Sequence, residues 1–345
     1  MMVSADEYRA ARGRAGLFDR SARGRILVTG ADAVAFLHGV LTNDIAALTA
    51  GRGCYALYLT PQGRIIADLD VLRLDDGVLL GLHPGVKDTL LTRFDQSIFA
   101  EDVRLRDTTA ETAQWHVCGP LAAQAVAGLV GLDAGLLGRL PEYGHVAARF
   151  GGFDARIVCS RPTGEPGFDL IVDATQHDAL HQTLTAAGAV DLSPDVVEAL
   201  REESGIPAFH TDMDETTIPL EAGIEQRSIS FTKGCYVGQE VIVRVMHRGH
   251  GRVARHLMGL TFDGAGVAAA GDPIRAGDKD VGRVTSAVFS PALGRAIALG
   301  YLHRDWLTPG ATVQVLHDGV ARPAVVTTLP FVERPAADPA PSGGQ

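Results

Sequence analysis

The sequence predicts an α+β protein that ends in a small antiparallel β-barrel or sandwich. Three observations carry this. Twice along the first 190 residues, short strand-like runs are followed by an amphipathic helical stretch, the pattern of strands covered by helices. From residue 255 onward helical periodicity all but vanishes, and short apolar runs alternate with glycine turns. Glycine is also in excess: 40 of 345 residues, or about 12% against a usual level of roughly 7%. These glycines have no triplet period, which excludes collagen, and they interleave with apolar runs, which excludes a disordered chain; they mark turns and close backbone approaches.

In order, residues 25–30 (RILVTG) read as a strand ending at glycine, and 31–41 as a helix with Val34, Leu37 and Leu41 on one stripe. Residues 54–59, 64–74 and 77–82 are successive strands, joined by turns at Pro61-Gln62-Gly63 and Asp75-Asp76-Gly77. A helix over 87–99 and a strand near 103–105 close this round. The second round has a strand at 114–118 broken by Gly119-Pro120, then a helix at 121–129. Strands at 145–150, 155–160 and 168–172 and a helix at 174–187 follow, and residues 200–207 end a further helix at glycine. Strands are then expected at 257–262, 281–287, 297–301, 312–316 and 324–329, and the tail 335–345 (PAADPAPSGGQ) reads as disordered. The implied units are 1–252, made of two α+β subdomains at roughly 1–112 and 113–252 with room to interweave, a barrel at 253–332, and a disordered tail at 333–345.

There are 31 basic and 41 acidic residues, a formal net charge of −10. That balance argues against a general nucleic-acid coat protein while leaving room for a local basic patch. Cys54, Cys118, Cys159 and Cys235 lie far apart with no C-x-x-C pair, so neither a zinc or cluster site nor a disulfide framework is expected. No apolar run reaches the roughly 18 residues of a membrane span. The N-terminus carries Asp6 and Glu7 without an apolar core, so no signal peptide is expected and the cytoplasm is the expected compartment.

The densest local chemistry is Lys233-Gly-Cys-Tyr-Val-Gly-Gln-Glu240. Val237, Val241 and Val245 have helical spacing. That spacing brings Cys235 to or near a helix N-terminus, where the dipole and Lys233 would favour a thiolate; a packed, inert thiol is the competing reading. Arg244, Arg248, Arg252 and Arg255 with His247, His250 and His256 form a positive segment without an acid. It suits polyanions or, equally, a solvated connector. His247 and His250 have no adjacent carboxylate, so no metal site is expected there. Asp68 and Asp70 alternate along one strand and share a face, suited to general-base work or simply to solvent. Asp169 enters an apolar run and points either into a cavity or outward, and Arg201 is either a ligand clamp or a partner of its helix's C-terminal dipole.

The segment KGCYVGQE, with Arg244 and Arg248-Gly249 downstream, resembles the signature of the YgfZ folate-binding proteins, relatives of the glycine-cleavage T-proteins (aminomethyltransferases). Other blocks resemble that superfamily in the same order. They are 25–30 with Phe36-Leu37, Thr42-Asn43-Asp44, Pro61-Gln62-Gly63-Arg64 with Asp68, Gly119-Pro120, 163–169, 201–207, 218–221, 281–286, 297–300 and 329–331. Together they span about residues 12–332. The resemblance implies a T-protein-like ring of two related α+β subdomains plus a C-terminal antiparallel β-barrel, with tetrahydrofolate in or near a central channel. An acidic residue of the 163–169 block holds the pterin in T-proteins, and Asp169 takes that place; Arg201 matches the arginine of the folate site. A pterin's guanidine-like edge suits a carboxylate grip.

By the same resemblance Cys235 is a functional thiol assisted by Lys233, framed by Gln239, Glu240 and Arg248. Two departures weigh against aminomethyl transfer. The paired aspartates of T-proteins read Ala67-Asp68 here, leaving Asp68 as the catalytic candidate, and Pro162 stands in place of a tyrosine. The expected function is therefore a monomeric tetrahydrofolate-binding YgfZ-type protein that supports iron–sulfur enzymes, including those that modify tRNA. The alternatives are a folate-dependent aminomethyltransferase or demethylase, and a tRNA-binding adaptor using the Arg244–Arg255 segment.

Overall fold

The computed structural model describes residues 3–247, 251–264, 266 and 268–333. The chain opens with helix α1 (Ala5–Gly13), started by Ser4, whose side chain accepts from the Glu7 amide, and continues into strand β1 (Gly16–Asp19). Strands β2 (Gly24–Thr29), β3 (Gly53–Leu59), β4 (Ile65–Arg73), β5 (Val78–Leu82) and β6 (Arg104–Asp107) then form one antiparallel sheet in the order β3-β4-β5-β2-β6. Helices α2 (Ala33–Val40) and α3 (Lys87–Asp95) bury Leu37, Leu90 and Phe94 with this sheet in one core that also holds Ile26, Leu57 and Leu69. The helix expected over 87–99 stops at Asp95; beyond it Phe99 is almost wholly exposed and adds nothing to the apolar stripe.

The second sheet is six-stranded. It holds β7 (Thr112–Cys118), β8 (His145–Phe150), β9 (Phe153–Cys159), β10 (Gly167–Asp173) and the two-residue β11 (Val190–Asp191). Its order is β11-β1-β7-β10-β9-β8. Strand β1 is therefore claimed by the second sheet, antiparallel to β7 and parallel to β11, so the N-terminal segment crosses into the later subdomain. Helices α4 (Ala122–Val130), α5 (Ala134–Gly138) and α6 (His177–Ala186) lie against this sheet and bury Val126, Leu137, Leu180 and Leu184. Arg25 joins the two sheets: almost completely buried, its guanidinium donates to Thr112 Oγ1 and to the carbonyls of Ser21, Thr109 and Thr112. Burial, aided by Arg23, pulls that guanidinium down to about 10.

Helix α7 (Pro194–Glu203) leads to the short helices α8 (Pro219–Ala222) and α9 (Glu225–Ser228) and then α10 (Gln239–His247). The C-terminal part is a closed six-stranded barrel of β12 (Arg255–Phe262), β13 (Pro273–Ala276), β14 (Lys279–Ser290), β15 (Arg295–His303), β16 (Thr312–His317) and β17 (Val320–Thr327). Register shifts between Ile274 and Arg275 and between Val284 and Ser286 bend these strands enough to close the sheet. At Gly282 the strands cross so closely that a Cβ would lie 2.2 Å from the Tyr301 carbonyl oxygen. Strand 281–287 is thus longer than the sequence suggests, and β13, four residues headed by proline, escapes periodicity altogether. The expected tail at 335–345, like Arg248 and Gly249, lies outside the described residues.

Candidate functional site

Strand β4 carries the alternation Asp68-Leu69-Asp70, so both carboxylates leave the same face of the first sheet while Leu69 enters the core. That face borders a cavity of about 200 Å³, walled by strands of the first sheet, by residues that flank strands of the second, and by Arg201 of α7 with the segment after it. On neighbouring β3, Tyr55 pairs with Asp70 in register and reaches diagonally, donating its hydroxyl to Asp68 Oδ2 at 3.0 Å. Asp68 Oδ1 is shielded from solvent and has no hydrogen-bond partner. Burial pushes the Asp68 carboxyl above its ordinary value, against the pull of Arg23 and with the help of Asp70.

Arg20, Arg23, Arg161, Arg201 and Arg227 also line this cavity. Arg23 Nη2 meets Asp70 at 2.9 Å, and its Nε is buried without a partner. Arg20 Nη1 bridges both oxygens of Asp169, at 2.8 and 2.6 Å, and Asp169 further takes Ser160 Oγ at 2.6 Å and His116 Nδ1 at 3.1 Å. Burial would raise this carboxyl, but Arg20, His116 and Ser160 hold it well below the usual range. Asp169 thus points inward, 3% exposed, against a smaller space that shares Asp70, Tyr143 and Ser160 with the main cavity. Arg201 both lines the cavity and fastens its wall. It donates to Asp212 at 2.7 Å, to Glu198 and to the Ile206 carbonyl, while Asp212 accepts from Thr285 and Ser286 of the barrel. Arg201, expected as either a ligand clamp or a partner of its helix's C-terminal dipole, is thus bound to the side chains of Glu198 and Asp212 and to the Ile206 carbonyl beyond the helix end.

Periodicity could not reveal three neighbours. Tyr143 holds φ +62°, a left-handed backbone rare outside glycine, and contributes to both spaces. Arg227 lies 4.7 Å over the Tyr55 ring and reaches Glu142 and the Tyr143 hydroxyl, each at 3.3 Å. Arg161 precedes Pro162, which biases its backbone toward the extended region.

The other expected site residues lie elsewhere. Cys235 is exposed on the loop at 229–238 and does not border the cavity. The helix expected to begin at or near it starts at Gln239, four residues on. Lys233 Nζ donates to the carbonyl oxygens of Leu41, at 2.7 Å, and His38, closing the C-terminal end of α2; burial lowers it to about 8. Gln239 begins α10, and Glu240 pairs on the exposed surface with Arg244. A Cβ at Gly238, which has φ +84°, would lie 2.5 Å from the Thr60 carbonyl oxygen, so the loop is pressed onto the 60–63 turn. Among the described residues no three His, Cys, Asp or Glu side chains are arranged to hold a metal ion. No helix among them is long and apolar enough to cross a membrane.

Known proteins resemble nearly the whole chain. The family description "GCVT N-terminal domain" matches residues 1–233, and "Glycine cleavage T-protein C-terminal barrel domain" matches residues 255–333. An aminomethyltransferase of Rubrobacter xylanophilus is 32% identical over 333 residues, covering 96% of this chain and 87% of its own. One from Streptomyces avermitilis is 34% identical, covering 95% and 89%. In structure, the glycine cleavage system aminomethyltransferase T of Bartonella henselae superposes with a TM-score of 0.85 at 24% identity, over 95% of this chain and 89% of that one. The curated relatives overturn the expected YgfZ-type role in supporting iron–sulfur and tRNA-modifying enzymes. Over nearly full length they carry the name aminomethyltransferase, which favours the alternative that Ala67 and Pro162 had counted against.

Proposed function

Because the chain belongs to the glycine-cleavage T-protein family, we propose that it is a tetrahydrofolate-dependent aminomethyltransferase with Asp68 as its proton-handling group. The observation that carries this reading is the buried, unpartnered Asp68 Oδ1 in the wall of the central cavity. Ala67 is not the missing half of a pair, because alternation along β4 turns it into the core, where it is fully buried.

The cavity's chemistry suits the cofactor. Tetrahydrofolate presents ring N–H donors on its reduced pterin and carries an acidic glutamate tail; Asp68 offers a free acceptor, Tyr55, Tyr143 and Phe209 offer aromatic walls, and the arginines offer cations. Tetrahydrofolate, when bound, supplies the nitrogen acceptor for the one-carbon unit. Tyr55 fixes Asp68 by one oxygen and leaves the other to accept or return a proton. Raising the carboxyl by burial brings it nearer the working pH, where exchange in both directions is easiest. Arg23, beside Asp70, keeps that rise in check.

The test is turnover of the purified chain on an aminomethyl-dihydrolipoyl carrier. Ammonia and free thiol should appear only when tetrahydrofolate is present. No ammonia with both substrates supplied would refute the activity.

A further inference from the structure

The arginines of the cavity differ in what they have left to give. Arg20 is committed to Asp169, Arg201 to Glu198, Asp212 and the Ile206 carbonyl, and Arg23 pairs with Asp70. Arg161 is half-buried and borders the cavity; its guanidinium interacts electrostatically with Glu165 but makes no hydrogen bond or close ion pair among the described residues. Arg227 is 38% exposed and among the described residues makes only the two 3.3 Å hydrogen bonds to Glu142 and Tyr143, while stacking on Tyr55. One Tyr55 ring thus separates the unpartnered acceptor at Asp68, held by its hydroxyl, from an under-used cation on its face. Asp169, by contrast, has both oxygens engaged. The spare capacity of the cavity is one carboxylate oxygen and two guanidinium groups, in a chain whose net charge is −10.

We propose that Arg161 and Arg227 are a carboxylate clamp that selects the acidic tail of the ligand, a specificity device resting on the folate reading above. Guanidinium groups bind carboxylates through paired, charge-assisted hydrogen bonds, stronger than neutral ones and sharper in geometry. Each arginine keeps those donors for a ligand because no side chain of the fold claims them fully. Stacking on Tyr55 holds the Arg227 plane in place before the ligand arrives, which reduces the ordering cost of binding.

The experiment is anaerobic calorimetry of the full chain with two probes, tetrahydrofolate and 6-methyltetrahydropterin, which has the ring but no acidic tail. Wild-type protein should bind tetrahydrofolate at least about ten-fold more tightly than the tail-less ring. Arg161→Gln and Arg227→Gln should each weaken tetrahydrofolate by about ten-fold while leaving the tail-less ring unaffected; Arg161→Lys and Arg227→Lys should recover part of the loss. Equal affinity of wild type for both probes, or equal weakening of both by the Gln variants, would overturn the clamp and leave the folate site standing. Failure of wild type to bind either probe would overturn the folate reading and the clamp with it. Matching circular dichroism melts of the Lys and Gln variants keep a folding defect from passing as a binding defect.

Discussion

Tyr55 donates its hydroxyl to Asp68 Oδ2 across 3.0 Å, while Asp68 Oδ1 stays buried with no partner. A fold that satisfies one oxygen of a carboxylate and not the other holds a proton-exchanging group in a fixed orientation.

Asp68→Asn should lower tetrahydrofolate-dependent transfer by roughly 10²- to 10⁴-fold without loss of stability. The folded protein raises the Asp68 carboxyl, so it binds that proton more tightly than the unfolded chain does. Stability contributed by this group therefore declines as pH rises from the ordinary carboxylate value, 3.8, through the raised one. The asparagine variant should gain on wild type over that same window. Urea melts at pH 4 and pH 7, run beside the transfer assay, check both parts; a variant equally destabilised at both would assign Asp68 a structural role.

Arg20→Met should destabilise the protein by about 3–5 kcal/mol at neutral pH, because it strands the buried Asp169 charge. The sign with pH is opposite to that at Asp68. Asp169 is depressed below 3.8, so its contribution is fully present above that value and is lost as pH falls toward the depressed one. The gap between wild type and variant, followed by chemical denaturation, should narrow in acid. The double variant Arg20→Met with Asp169→Asn should recover much of the loss.

Glu202, 1% exposed on α7, is pushed up to about 9 by burial, with Arg201 opposing, and so folds in its neutral form. Its proton is held more tightly in the native state between 4.5 and about 9, and stability falls across that interval as pH rises. Glu202→Gln removes the penalty. Its advantage over wild type should be small at pH 5 and reach about 2–4 kcal/mol at pH 8; equal melting curves at both pH values would contradict the assignment.

Thiol chemistry should separate Cys235 from the other cysteines. Burial raises Cys54 and Cys118 to about 12 and Cys159 to about 11, whereas Cys235 is exposed. An aromatic disulfide reagent should titrate one thiol rapidly in native protein and the rest only in denaturant. Peptide mapping should place the fast adduct on Cys235, and the adduct should leave tetrahydrofolate affinity unchanged.

The barrel and the Asp68–Asp70 face were legible because each depends on local pattern: glycine turns between short apolar runs, and alternation along one strand. Strands β1 and β11 were not, since four and two residues are too short to show a period. The cavity wall was hidden for a different reason. Arg20, Tyr143, Arg161 and Arg227 come from four separate segments and meet only through the interweaving of the sheets. The segment 233–240 shows the limit of spacing in the opposite sense. Its density reads as chemistry, yet Lys233 closes a helix end and Gly238 lets the loop press on the 60–63 turn. A packing motif and a reactive one use the same small and charged residues, and spacing alone does not separate them.

The most direct measurement is a crystal structure of the chain with tetrahydrofolate. The pterin should occupy the central cavity, with one of its nitrogens within hydrogen-bond distance of Asp68, about 2.7–3.2 Å, and its tail directed to Arg161 and Arg227. A folate seated outside that cavity, or against the Cys235 sulfur, would contradict the assignment of Asp68.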